Sequence, residues 1–69
     1  MTYRINTETT GLDNDQQVKH MAELLRSKGY AVEFTRDCGL INGMEEDNQF
    51  EGGQGQRDWE NALIAASNI

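Results

Sequence analysis

Clustered carboxylates are the residues of this sequence whose types and spacing come nearest to chemistry. They lie in the stretch MEEDNQFEGGQGQRDWE, which runs from residue 44 to residue 60. Paired carboxylates can act as general acid and base when two of them converge on one substrate with separated pKa values. Glu45, Glu46 and Asp47 are consecutive, so their side chains diverge on any regular element, and the nearby glycines make a poor platform. The pattern favours a solvated acidic segment over a hydrolytic site.

A calcium loop is the second chemistry that this stretch suggests. An EF-hand loop needs oxygen ligands at positions 1, 3 and 5, glycine at 6, an apolar residue at 8 and an acid at 12. A loop that starts at Asp47 places Gly52 and Asp58 correctly, but it puts Gln49 at a ligand position and Gln54 at the apolar one. The preceding residues, CGLINGMEE, are a poor entering helix because they contain two glycines. The sequence therefore predicts no metal site.

Two further motifs lack groups that their chemistry requires. The run GGQG at residues 52–55 lacks the lysine and hydroxyl residue of a phosphate loop, and its acidic surroundings repel phosphate. His20 and Cys38 contain a base and a nucleophile, but nothing in the sequence supplies an orienting third group or an oxyanion hole. We therefore predict a protein that is not an enzyme and that uses no cofactor.

The negative charge is confined to the second half of the chain. Residues 1–36 carry five basic and five acidic side chains, whereas residues 37–69 carry seven acids and one arginine, which accounts for the whole net charge of −6. Such a surface repels nucleic acid and attracts basic proteins. We expect no direct DNA or RNA binding, and we predict that a partner protein is contacted by the seven acids: Asp37, Glu45, Glu46, Asp47, Glu51, Asp58 and Glu60.

The length and the cysteine content limit the architecture and the compartment. A chain of 69 residues makes one small domain, residues 1–69, with a marginal core. Cys38 is the only cysteine, which favours a reducing compartment. No apolar run approaches the roughly 20 residues that span a membrane, and the first residues do not resemble a secretory signal. The expected location is the cytoplasm, without membrane attachment.

The first half of the chain has the pattern of a strand, a helix and a second strand. Residues 2–6 alternate with the period of a half-buried strand, residues 7–13 are polar and predict a loop, and YAVEFTR at 30–36 predicts the second strand. Between the strands, Asp13 or Asn14 can cap a helix that ends at Gly29. The apolar stripe of that helix comprises Val18, Met21, Ala22, Leu24 and Leu25.

The second half predicts a long connection followed by a helix. Residues 37–56 hold five of the seven glycines, with a possible short strand at Leu40, Ile41 and Met44 and with Phe50 expected to attach the connection to the core. Arg57–Asn68 has helical spacing through Trp59, Leu63 and Ala66, with Ala62 and Ile64 beside them. The fold class is therefore α+β: a β-α-β start, a two- or three-stranded sheet, and a C-terminal helix packed on one face.

Two functional hypotheses follow. In the first, the acidic half occupies the phosphate-binding groove of a nucleic-acid-binding protein or complex. In size, acidity and lack of a catalytic motif, the chain resembles small phage-encoded inhibitors of host defence, including anti-CRISPR proteins, and that resemblance implies a steric and electrostatic block. In the second, the chain is a homodimeric structural or assembly module that docks through Trp59, Phe50 and the sheet edge, and its acidity serves solubility.

Overall fold

A two-stranded parallel sheet and three helices form the part of the chain that the computed structural model describes, residues 3–36, 50 and 52–69. The strands pair with Tyr3 opposite Val32 and Ile5 opposite Phe34. This arrangement confirms the predicted α+β class and its β-α-β start. In chain order the elements are β1 (Tyr3–Ile5), α1 (Thr7–Thr10), α2 (Asp15–Ser27), β2 (Val32–Phe34) and α3 (Gly53–Ser67).

The alternation of β1 places its side chains as the sequence predicts. Tyr3 and Ile5 are buried, while Arg4 between them is exposed. The Arg4 Nε lies 3.7 Å from the Glu33 Oε1 of the neighbouring strand. Both strands are shorter than predicted, although backbone hydrogen bonds to β1 also engage Ala31 and Thr35, the residues on either side of β2. The predicted strand at Leu40, Ile41 and Met44 lies outside the described residues.

The helix α2 supplies most of the fully buried side chains. Asn14 caps it, because its side-chain oxygen accepts the backbone N–H of Gln17 at 2.9 Å. The Gln17 side chain in turn accepts the backbone N–H of Asp13 at 3.0 Å, so two donors at the helix start are satisfied. The helix covers one face of the sheet with its predicted stripe, of which Val18, Met21, Ala22 and Leu25 are fully buried.

The segment predicted as a loop at residues 7–13 contains a helical turn instead, so that prediction was wrong. Asn6 caps α1 by accepting the backbone N–H of Thr9, and the Thr9 hydroxyl accepts the backbone N–H of Asn6, both at 2.9 Å. Threonine here takes the place of the glutamate or glutamine that usually identifies a capping box in sequence. Gly11 ends the turn at φ 76°, the left-handed conformation that glycine adopts without strain.

The C-terminal helix α3 packs against α2 in the antiparallel direction. Gln17, at the start of α2, donates to the backbone carbonyl of Ser67, at the end of α3, at 3.5 Å. Ala62 and Ala66 are buried at this contact, and their small side chains allow the two helices to approach closely. The helix begins at Gly53, four residues before the predicted start, so Asp58 and Glu60 lie beyond its first turn. None of the described helices is long and apolar enough to cross a membrane.

Candidate functional site

A buried carboxylate lies where α3 meets the connection between α2 and β2. Asp58 is only 7% exposed. Its Oδ2 accepts a hydrogen bond from the Tyr30 hydroxyl at 2.6 Å, and its Oδ1 accepts one from the Gln54 side-chain amide at 2.9 Å. Both oxygens therefore have a hydrogen-bond donor, which offsets part of the cost of removing a carboxylate from water.

The two hydrogen-bonded groups shift each other's titration in opposite directions. The hydrogen bond from Tyr30, followed by that from Gln54, holds the pKa of Asp58 below its ordinary value, and the charge of Lys28 acts the same way while burial opposes them. The same hydrogen bond raises the pKa of Tyr30, because ionising the phenol would remove the donor beside a negative carboxylate. The arrangement therefore holds Asp58 ionised and Tyr30 neutral at ordinary pH.

An aromatic cluster around Phe50 lies beside this pair. The Phe50 ring centroid is 4.8 Å from that of Tyr3, 4.8 Å from that of Tyr30 and 5.0 Å from that of Trp59. Tyr3 and Trp59 also meet edge to face at 5.7 Å. Phe50 is 5% exposed, so it is attached to the core as predicted. The cluster joins β1, the connection between α2 and β2, and α3 at one place.

The seven predicted contact residues divide into three groups. Asp58 is turned inward and bound to Tyr30, so its carboxylate serves the core and not a partner surface. Glu60 is exposed on the outer side of α3, where Gln56 donates to it at 3.3 Å. The remaining five lie outside the described residues: Asp37, Glu45, Glu46, Asp47 and Glu51.

A periodic signal in the sequence could have identified Asp58 as a buried residue. Counting back by four from Ala66 and Ala62 reaches Asp58, and these three are the buried residues of α3. The predicted stripe instead centred on Trp59 and Leu63, which are only partly buried, and it included Ile64, which is 60% exposed. The buried face of α3 therefore includes Asp58 and Ala62, each one residue before the predicted Trp59 and Leu63. The sequence reasoning also missed Tyr30 and Gln54 as partners of Asp58.

The other residues that were weighed for chemistry do not converge in the described part of the chain. His20 lies beside an open depression with Gln16, Lys19, Glu23 and Ile69, while Cys38 lies outside the described residues. Within residues 3–36, 50 and 52–69, no three His, Cys, Asp or Glu side chains come together as metal ligands. The docking hypothesis relied partly on Phe50, whose burial removes it from any free surface in this conformation.

Comparisons with protein-family models, curated proteins and solved structures give no match to this chain. The functional argument therefore depends on the charges and contacts of the chain itself.

Proposed function

We propose that this protein is a non-enzymatic binding protein whose acidic second half blocks a basic, nucleic-acid-binding protein. One observation carries the proposal: the whole net charge of −6 lies in residues 37–69, while the first half sums to zero. Carboxylates presented together attract a surface that is rich in lysine and arginine, and they compete there with phosphates. The proposed mechanism is a steric and electrostatic block without any covalent step.

Internal contacts of the basic side chains support this view of the charge. Arg36 lies 3.2 Å from Asp15, and Arg4 pairs with Glu33 across the sheet. The Arg26 side chain donates to the backbone carbonyl of Val32 at 2.6 Å, and the Lys19 ammonium lies 5.4 Å from the centre of the Phe34 ring. Exposed pairs of this kind add little stability. These contacts nevertheless place the four cations next to two acidic side chains, one backbone carbonyl and one aromatic ring, all of which belong to the first half of the chain.

The contact surface that we propose differs from the predicted set by one residue. Asp58 is removed from it, because Tyr30 and Gln54 already occupy its carboxylate. Glu60 remains, because its side chain is exposed on α3. The proposed contacts are therefore Asp37, Glu45, Glu46, Asp47, Glu51 and Glu60.

The proposal also includes a class of protein and a cellular location. A small acidic chain that blocks a nucleic-acid-binding partner fits the phage-type inhibitors of host defence that the sequence resembles, anti-CRISPR proteins among them. The cytoplasm is the proposed location, because a partner of this kind works there and because the chain has a single cysteine.

Affinity capture with a matched charge control tests the proposal. The purified chain is immobilised and exposed to nuclease-treated lysate of the host cell, and bound proteins are identified by mass spectrometry. The test variant is Glu45→Lys with Glu46→Lys, and the control is Asp13→Lys with Glu23→Lys. Both variants change the net charge equally, and the control acids are exposed in the charge-neutral half.

The expected result is a nucleic-acid-binding protein that is lost from the test variant and retained by the control. In a titration with the purified partner, the affinity of the wild-type chain should fall steeply with added salt. Exposed charges separated by more than about 10 Å are screened from each other near 0.1 M salt. If both variants lose the captured protein equally, capture depends on net charge alone and not on the position of the acids. Capture that is unaffected by either variant, or by salt, would remove the electrostatic mechanism.

A further inference from the structure

A groove between α2 and α3 is lined almost entirely by apolar atoms. It is partly open to solvent and has a volume of about 120 Å³. Pockets for small-molecule ligands run to roughly 300–1,000 Å³, so this groove has room for one branched aliphatic side chain and little more. The residues that matter here are Leu24 and Leu25 of α2, Lys28 directly after that helix, and Ala62 and Ala65 of α3.

The groove carries one cation at its end. Lys28 lies one helical turn after Leu24, on the same side of α2. It is exposed, and within the described residues its ammonium has no carboxylate within ion-pair distance. The nearby Asp58 is already satisfied by Tyr30 and Gln54. The groove therefore offers an apolar recess and, one turn away, a positive charge that makes no ion pair within the described residues.

The outer face of α3 offers the opposite pattern. Ile64 is 60% exposed there, one of two large hydrophobic side chains that are exposed in the described part of the chain. Glu60 lies one helical turn before it and is also exposed. This face therefore presents an apolar knob with a negative charge one turn away. The spacing matches that of the groove, and the charges are of opposite sign.

We propose that the groove receives Ile64 of a second copy of this chain, while Glu60 of that copy pairs with Lys28. Ala65 lines the groove, and Ile64 precedes it on the neighbouring, exposed side of α3. A two-fold axis between the two copies relates one such contact to the other and closes the assembly as a dimer. The small Ala65 side chain permits the close approach of the two α3 helices. A contact built from one apolar side chain and one ion pair per copy makes a weak dimer whose population depends on concentration.

The chain itself offers a matched control for the knob. Ile64 and Ile69 are exposed to nearly the same extent, 60% and 62%. Ile64→Lys and Ile69→Lys make the same chemical change and give the same net charge. Sedimentation equilibrium from about 10 μM to about 1 mM covers the range expected for a weak self-association. The wild type and Ile69→Lys should dimerise with similar constants, and Ile64→Lys should weaken the association at least tenfold.

A charge exchange tests the pairing of Lys28 with Glu60. Lys28→Glu and Glu60→Lys should each weaken the dimer, and the double variant, which has the wild-type net charge, should restore it. Far-UV circular dichroism verifies that each variant is folded. A wild type that stays monomeric to about 1 mM overturns the proposal. Equal effects at residues 64 and 69, or a double variant that is no better than the singles, overturn it as well.

Discussion

The Tyr30 hydroxyl and the Asp58 carboxylate are joined by a hydrogen bond of 2.6 Å between residues that are 28 positions apart in the chain. Tyr30 lies between α2 and β2, and Asp58 lies on the buried face of α3. This contact joins the C-terminal helix to the β-α-β unit, as the hydrogen bond from Gln17 to the Ser67 carbonyl does at the other end of α3. Because the hydrogen bond between Tyr30 and Asp58 is made by an ionised acceptor and a neutral donor, it should respond to pH at both ends of the scale.

At acid pH we expect the Asp58 contribution to stability to disappear. The folded protein holds the pKa of Asp58 below its ordinary value of 3.8, so the contribution is fully present above that value. It is lost as the pH falls through the lower, folded pKa, because the unfolded chain takes up the proton first. Urea unfolding at pH 7 and at about pH 2 should show a smaller difference between wild type and Asp58→Asn at the lower pH. An equal difference at both pH values contradicts the assignment.

At alkaline pH we expect the Tyr30 contribution to disappear in turn. The pKa of Tyr30 is raised above its ordinary value of 10.0, so its contribution is complete below that value and is lost as the pH rises through the folded pKa. Tyr30→Phe should be less stable than the wild type at neutral pH, and the gap should close in alkali. Burial also raises the pKa of Tyr3, so part of the alkaline destabilisation should remain in Tyr30→Phe. A gap that persists unchanged in alkali contradicts the prediction.

Replacing Phe50 by leucine should loosen the aromatic cluster. The change removes ring contacts with Tyr3, Tyr30 and Trp59. Aromatic pairs contribute about 0.5–1.5 kcal/mol each beyond their buried area, so we expect a loss of about 2–3 kcal/mol in the free energy of unfolding. Urea unfolding followed by circular dichroism measures it, and emission from Trp59, the only tryptophan, should change in the folded state.

Phe34→Leu is the matched control for this change. Phe34 is partly buried at the edge of the core, with the Lys19 ammonium over its ring. A substitution that keeps an apolar side chain of similar size there should cost less than about 1.5 kcal/mol. Equal losses at positions 34 and 50 would show that Phe50 is not the centre of the cluster.

Glu60 and Asp58 should behave oppositely in stability and in partner binding. Glu60→Gln changes an exposed side chain, so we expect a change in stability within about 0.5 kcal/mol and a weaker capture of the basic partner. Asp58→Asn should destabilise the fold and, under conditions where it remains folded, leave capture unchanged. Urea unfolding together with a partner titration separates the two effects. A loss of capture from folded Asp58→Asn would return that residue to the contact surface.

The main elements of the fold could be predicted because local signals agree with the packing. The stripe from Val18 to Leu25, its cap at Asn14 and the alternation around Ile5 each point to the observed structure. The turn α1 could not be predicted, because its cap uses Thr9 where the usual pattern has glutamate or glutamine. Its formation depends on one pair of reciprocal hydrogen bonds, which composition does not reveal.

The candidate site was harder to predict because burial overrides charge. An aspartate between an arginine and a tryptophan reads as a surface acid when charge is counted along the chain. Its burial depends on a tyrosine that is 28 residues away and that folding brings within 2.6 Å. Only the spacing of Asp58, Ala62 and Ala66 contained a local hint. The early start of α3 was missed for a related reason, because three glycines within four residues favour a loop in any pattern analysis.

Gly52 and Gly53 both have positive φ, 74° and 54°, and the conformation of Gly52 is the more restricted to glycine. Gly52 precedes α3 with φ 74° and ψ 163°, a conformation that is essentially restricted to glycine. A Cβ at Gly52 would meet nothing within 4 Å, so the cost of a substitution there is conformational and not steric crowding by neighbours. Gly52→Ala should therefore lower the free energy of unfolding by about 1–3 kcal/mol.

Two variants isolate that backbone effect. Gly55→Ala lies within α3, where alanine is favoured over glycine, so it should stabilise the protein by up to about 1 kcal/mol. Chemical synthesis with D-alanine at position 52 adds the same methyl group but is compatible with positive φ, so it should recover most of the stability that L-alanine loses. Urea unfolding of the three proteins measures these differences. If D-alanine and L-alanine at position 52 destabilise equally, the left-handed start of α3 is not what selects glycine there.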